Sequence, residues 1–162
     1  MATLDISAYK RQLIDSLLGN EKIVAAIESK SANYDPDSPD TLIYENVFPY
    51  LRIPDVQMVA ETYVLMAVDM ISPSRTNEFF VNMRLTIWVM AHQETMRMTG
   101  KSSTRIDYIA DEIEEMLVNT SEFGYGMLEL MSNKEIILNE KYQYRELVFR
   151  NLDAKESPVK RK

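Results

Sequence analysis

Residues 78–91 read EFFVNMRLTIWVMA, and this stretch decides the fold. Phe79, Val81, Met83, Leu85, Ile87 and Val89 fall on one side of an extended chain, and Asn82, Arg84 and Thr86 on the other. Side chains of a strand alternate between faces, so period two predicts one buried face and one open face. Immediately before it, Ser72-Pro73-Ser74-Arg75-Thr76-Asn77 has the composition of a turn, and Thr62 to Ile71 is rich in branched and aromatic residues. A long antiparallel hairpin follows.

That first strand carries apolar groups on both faces: Val64, Met66, Val68 and Met70 on one, Tyr63, Leu65 and Ile71 on the other. Something must cover the second face, and a neighbouring subunit is the expected cover. Toward the C-terminus, Met127 to Met131 and Tyr142 to Leu152 read as a second hairpin. SNKEIILNEK between them is able to extend the pairing.

Helices flank the strands. Ile6, Tyr9, Leu13, Ile14, Leu17 and Leu18 follow three-and-four spacing, with Asp5 as cap and Gly19 as the expected left-handed stop. A short second helix runs from Asn20 through Ile23, Val24 and Ile27. The clearest helix spans about Thr104 to Asn119, with Ile106, Ile109, Ala110, Ile113, Met116 and Leu117 as its buried stripe. Thr104 and Asp107 match a capping box, in which each side chain satisfies an amide of the first turn. SANYDPDSPD at 31–40 is turn-rich. Pro49 and Pro54 make VFPYLRIP an extended edge or arm. Together these predict an α+β fold: a mostly antiparallel sheet of about four strands in two hairpins, packed by the N-terminal helices and one central amphipathic helix. Residues 1–153 read as a single domain and 154–162 as a flexible basic tail.

Charge limits the partners. The chain has 162 residues and a formal net charge of -7. Lys155, Glu156, Lys160, Arg161 and Lys162 give the tail +3, leaving 14 basic and 24 acidic residues, or -10, on 1–154. Such a body repels phosphate backbones and anionic lipid. The start, MATLDISAYKRQ, lacks the pattern of a signal peptide, and Tyr63 to Ile71 is short and broken by Asp69, so an intracellular product without a membrane span is expected.

Chemistry is sparse. With no cysteine and one histidine, His92, a nucleophile has a single possible base, and no Gly-x-Ser-x-Gly elbow is present. Asp35, Asp37 and Asp40 sit between prolines and fit a turn better than a calcium loop. Gly124-Tyr125-Gly126 lacks the third glycine of a phosphate cradle and leads into a strand. No catalytic, cofactor-binding or metal residue is assigned. Two features point outward: a ridge of Asp107, Asp111 and Glu115, whose like charges suit a basic partner or an acidic channel wall, and eleven methionines, six of them (Met66, Met70, Met83, Met90, Met96, Met98) around the hairpin.

The order of elements resembles the tail terminator (tail completion) and related neck proteins of long-tailed bacteriophages. The segments that carry the likeness are VFPYLRIP, FFVNMRLTIWVMAHQ, TRIDYIADEIEEML, FGYGMLELMS and KYQYRELVFRNLD, with EKYQYRELVF the most characteristic. The resemblance implies a virion subunit forming a homo-oligomeric ring, a hexamer, that caps the tail tube and joins it to the head connector. It implies tail tube and head-side connector or adaptor proteins as partners, with DNA passing through without specific binding. Binding would fall to Phe48, Pro49 and Tyr50, to Arg75, Thr76 and Asn77, and to Lys160, Arg161 and Lys162. The alternatives are a head-completion or adaptor protein of the same neck, or a small soluble nucleotide-binding or hydrolase protein using His92 and the acidic helix.

Overall fold

The computed structural model describes residues 5–55, 59–73, 81–118 and 128–151. Helix α1 (Ile6–Leu18) is capped by the Asp5 carboxylate, which accepts from the Ala8 amide. It buries Tyr9, Leu13, Ile14 and Leu17. Gly19 does not end it in the left-handed region. At φ -76 its amide donates to the Asp15 carbonyl at 2.9 Å, and the Asn20 amide closes the turn on the Leu17 carbonyl at 3.2 Å. Among the described residues the left-handed ones lie elsewhere, at Glu28, Tyr44 and Gly100. Helix α2 (Glu21–Ile27) starts at Asn20, whose side chain accepts from the Lys22 and Ile23 amides. The turn reading of residues 31–40 holds: Asp35 Oδ1 accepts from the Asp37 amide before a single 3-10 turn, Pro39–Leu42.

The sheet has five strands in the order β1-β2-β3-β5-β4. Strand β1 (Val47–Phe48) pairs in parallel with Val64 and Leu65 of β2 (Thr62–Pro73). This two-residue strand raises the expected count by one, and its brevity reflects Pro49, which has no amide to donate. β2 and β3 (Val81–His92) form the hairpin, β5 (Tyr142–Asn151) pairs with β3, and β4 (Leu128–Ile137) closes the far edge. β2 runs through Ser72 and Pro73, residues expected to turn, after a register shift between Met70 and Ser72. Phe79, the turn 74–77 and 123–126 lie outside the described residues, as do the side chains of Ile71, Val81 and Asn82.

One face of the sheet is covered by helices. Met83, Leu85, Ile87 and Val89 of β3 are buried with Val64, Met66 and Val68 of β2 and with Leu147 and Phe149 of β5. Helix α3 (Arg105–Leu117) lays Ile106, Ile109, Ala110, Ile113 and Leu117 on them. A fully buried aliphatic side chain contributes about 1.5–3 kcal/mol, so this layer carries the fold. Met66, Met83, Met90 and Met98 are core fillers, and Met70 is exposed.

On the other face Tyr63 and Leu65 are already buried within the chain, so at these two positions the expected cover by a neighbour is not required. Leu65, Tyr63 and Met90 pack with Phe48, Tyr142 and Tyr144, and Leu51, Trp88, Ile136 and Leu138 border them. The arm folds back over this face because β1 pairs beside it.

Candidate functional site: an aromatic arm and an acidic ridge

The arm is set by a polar bracket that sequence reading missed. Asn46 is fully buried, its amide nitrogen donating to Glu61 Oε2 and to the Thr62 carbonyl, each at 2.8 Å. Its Oδ1 accepts from Ser29 Oγ at 2.6 Å. The other Glu61 oxygen accepts from the Lys30 amide at 2.7 Å. Buried polar groups retain their cost unless paired, and here each is paired. The bracket pins the end of α2 to the start of β2 and fixes where the chain enters β1.

Just before it, Tyr44 sits at φ 66, in the left-handed region, with its amide donating to the Val47 carbonyl at 2.9 Å. For a residue with a Cβ this conformation costs on the order of 1–2 kcal/mol. The Tyr44 ring is 61% exposed. Its centroid lies 6.2 Å from that of Phe48 and 6.4 Å from that of Tyr50. Phe48 is buried beneath, capped by the Arg52 guanidinium 4.7 Å above its ring. Tyr50, Ile53 and Val59 are exposed as well. Lys10 Nζ donates to the Pro49 carbonyl at 2.6 Å, tying the arm to α1. Between arm and helix lies an open cleft of about 430 Å³, lined by Ser7, Lys10, Arg11, Ile14, Asp15, Ile43, Tyr44 and Pro49.

Of the predicted arm residues, Phe48 is therefore a buried support, Pro49 is half-buried in the cleft lining, and Tyr50 is exposed. Tyr44, Arg11 and Arg52 were not legible: a left-handed tyrosine carries no compositional signal, since that conformation favours Gly and Asn.

The ridge on α3 divides. Thr104 Oγ1 accepts from the Asp107 amide at 3.3 Å, as the capping box requires. The Asp107 carboxylate does not return the favour. It accepts from Arg145 Nε and Nη2 at 2.9 and 2.7 Å. A charged partner outcompetes a backbone amide for that carboxylate. Asp111 and Glu115 are exposed, and neither makes an ion pair among the described residues. Arg75, Thr76, Asn77, Lys160, Arg161 and Lys162 lie outside the described residues, so arm and ridge are the predicted features whose positions are known.

The remaining chemistry is structural. His92 is buried, its Nδ1 accepting from the Glu94 amide at 3.0 Å and its ring meeting Tyr142 edge-on at 5.0 Å. Among the described residues, no group of three or more His, Asp or Glu side chains is placed to hold a metal. No helix among them is long and apolar enough to cross a membrane.

What these features define is a small α+β sandwich with an arm that exposes two tyrosines and, on the helix layer, an acidic ridge in which Asp111 and Glu115 make no ion pair among the described residues. The chain belongs to the YomW family, a phage-related family whose model matches residues 20–151. The match takes in every element from α2 to β5. Comparison with curated proteins and with solved structures gave no match.

Proposed function

We propose that this protein is a structural subunit of the phage neck, the tail terminator, which closes as a homo-oligomeric ring, caps the tail tube and joins it to the head connector. The observation that carries the reading is the exposed tyrosine pair of the arm, Tyr44 and Tyr50, with ring centroids 6.4 Å apart. Contiguous exposed apolar groups on a water-facing protein mark contact surfaces, and tyrosine is enriched where partners bind most tightly. A phage-related family supports a virion role. The acidic body supports a conduit, because a wall that repels phosphate lets DNA pass without holding it. In this role the work is assembly; it calls for no cofactor and no membrane, and the protein would reside at the top of the tail after assembly in the host cytoplasm.

Negative-stain imaging and light scattering of the full chain, alone and with purified tail tubes, test it. Rings that seat on tube ends are the expected result. A monomer at high concentration that ignores tubes overturns the reading, and binding to the head-side connector alone reassigns the protein to an adaptor role.

A further inference from the structure

Resting on that ring reading, we propose that successive copies join head to tail, the α3 ridge of one copy seated in the cleft beside Tyr44 of the next. A ring requires two different surfaces on one subunit that complement each other. The fold carries such a pair on separate surfaces: the cleft lies between α1 and the arm, and the ridge lies on α3, where Glu115 borders a second pocket shared with Ser16 and Gly19. Along the order β1-β2-β3-β5-β4, α1 and the arm sit over the β1–β2 side, whereas α3 packs on β3 and β5.

Their chemistry is complementary. The cleft lining combines apolar Ile14, Ile43 and Pro49 with cationic Lys10 and Arg11 and with Asp15; Lys10 is held by the Pro49 carbonyl, which leaves Arg11 as the available cation. Arg11 is exposed and makes no ion pair among the described residues. On the ridge Asp111 and Glu115, four residues apart, stand on one helix face about 5–6 Å from each other. Of the other α3 carboxylates, Asp107 is engaged by Arg145 at 2.7 Å and Glu112 by Lys22 at 3.9 Å, while half-buried Glu114 makes no ion pair among the described residues. Two like charges left adjacent destabilise the free helix, and a neighbour's arginine removes that cost. Met116, part-buried beside the ridge, offers an adaptable apolar contact for the Tyr44 ring. The strained backbone at Tyr44 fits the same role, because it holds an aromatic ring out in solvent beside the cleft.

The test uses two full-length variants. In the first, Arg11→Glu with Tyr44→Gly disables the cleft; glycine accepts the left-handed backbone, so the fold is kept. In the second, Asp111→Lys with Glu115→Lys disables the ridge at exposed positions. Melting curves establish that both fold. Each variant alone should assemble at least about tenfold more weakly than the unaltered chain. Mixed one to one, they should form dimers and nothing larger, because each retains one working surface. Both variants assembling as the unaltered chain does would place the interface elsewhere and overturn this inference while leaving the ring intact. If the unaltered chain never assembles, with or without tail tubes, the ring reading itself falls. Should Tyr44→Gly unfold the first variant, Arg11→Glu alone, rescued by adding Asp111→Lys and Glu115→Lys in the same chain, gives the decisive comparison; no rescue counts against the pairing.

Discussion

Arg145 of β5 donates through both Nε and Nη2 to a single carboxylate oxygen of Asp107, in the first turn of α3. Its Nη1 holds Asn133 Oδ1 of β4 at 2.9 Å, and Glu135 lies 3.8 Å away. One guanidinium thus ties a helix to two strands at the edge of the helix layer. The Asp107 side chain is 37% exposed and that of Arg145 19%, so water screens the pair in part.

Asp107→Ala should therefore lower stability by about 1 kcal/mol, seen as a fall of about 2–4 °C in Tm for a chain of this length. Arg145→Gln should cost more, about 2 kcal/mol, since it leaves Asp107 and Glu135 facing each other without a cation. Thermal melts of the two variants give the order. An Asp107→Ala protein as stable as its parent would show the pair to be inert.

Arg105 does a different job with the same chemistry. It is 4% exposed. Its guanidinium donates to the Thr95 carbonyl at 2.5 Å, to the Arg97 carbonyl at 3.2 Å and to the Ala26 carbonyl. Glu28, which ends α2 in the left-handed region, completes the set at 3.3 Å. Helix ends leave carbonyls without partners, and here one arginine satisfies that of α2 together with two from the loop before α3. Arg105→Met should cost about 3 kcal/mol, and Arg105→Lys nearly as much, because an ammonium cannot span the three carbonyls. Urea unfolding midpoints measure both, and a Lys variant matching the parent would show that charge alone suffices.

The α3 stripe, the β3 alternation and the cap at Thr104 were legible because each rests on residues a few positions apart. What covers the second sheet face was not, because Phe48 reaches Tyr63 and Tyr142 only through parallel pairing set by Asn46. A run interrupted by Pro49 and Pro54 reads as an arm whether it points away or folds back. Arg145 and Arg105 were invisible for the same reason: each has a deciding partner, Asp107 and the Ala26 carbonyl, 38 and 79 positions away, and nothing local marks an arginine as buried. Of the site, Tyr50 and the ridge could be named from sequence, while the cleft between α1 and the arm exists only once they meet.

Glu45 gives a pH signature. Ser31 Oγ and Asn33 Nδ2 donate to its two oxygens at 2.7 and 2.9 Å, and these bonds, that of Ser31 first, hold its pKa below the ordinary 4.5. A depressed folded value means that the unfolded chain takes up the proton first as pH falls. The stability so gained is complete above 4.5 and disappears as pH drops through the folded value. Ser31→Ala with Asn33→Ala should flatten the loss of stability in that acid window and lower stability slightly at neutral pH. Urea melts across the window check it, and an unchanged acid slope would remove Glu45 from the account.

The tyrosines under the arm should act in the opposite direction at alkaline pH. Burial, then the negative neighbours Tyr142 and Glu61, raises the Tyr63 pKa above its ordinary 10.0. Burial raises Tyr142 and, with Glu146 beside it, Tyr144. For each, the phenol stays neutral in the folded chain while the unfolded chain ionises. Their contribution is therefore full below 10.0 and is lost as pH rises toward the folded values. Of nine tyrosines, at least these three should titrate late in the absorbance of phenolate, in a step that coincides with unfolding. Tyr63→Phe should remove one late proton and shift alkaline unfolding to higher pH, because phenylalanine has no ionised form to favour the open chain. Ordinary titration of all nine, complete before any loss of structure, would mean that water reaches the rings and that the arm does not lie over this face in solution.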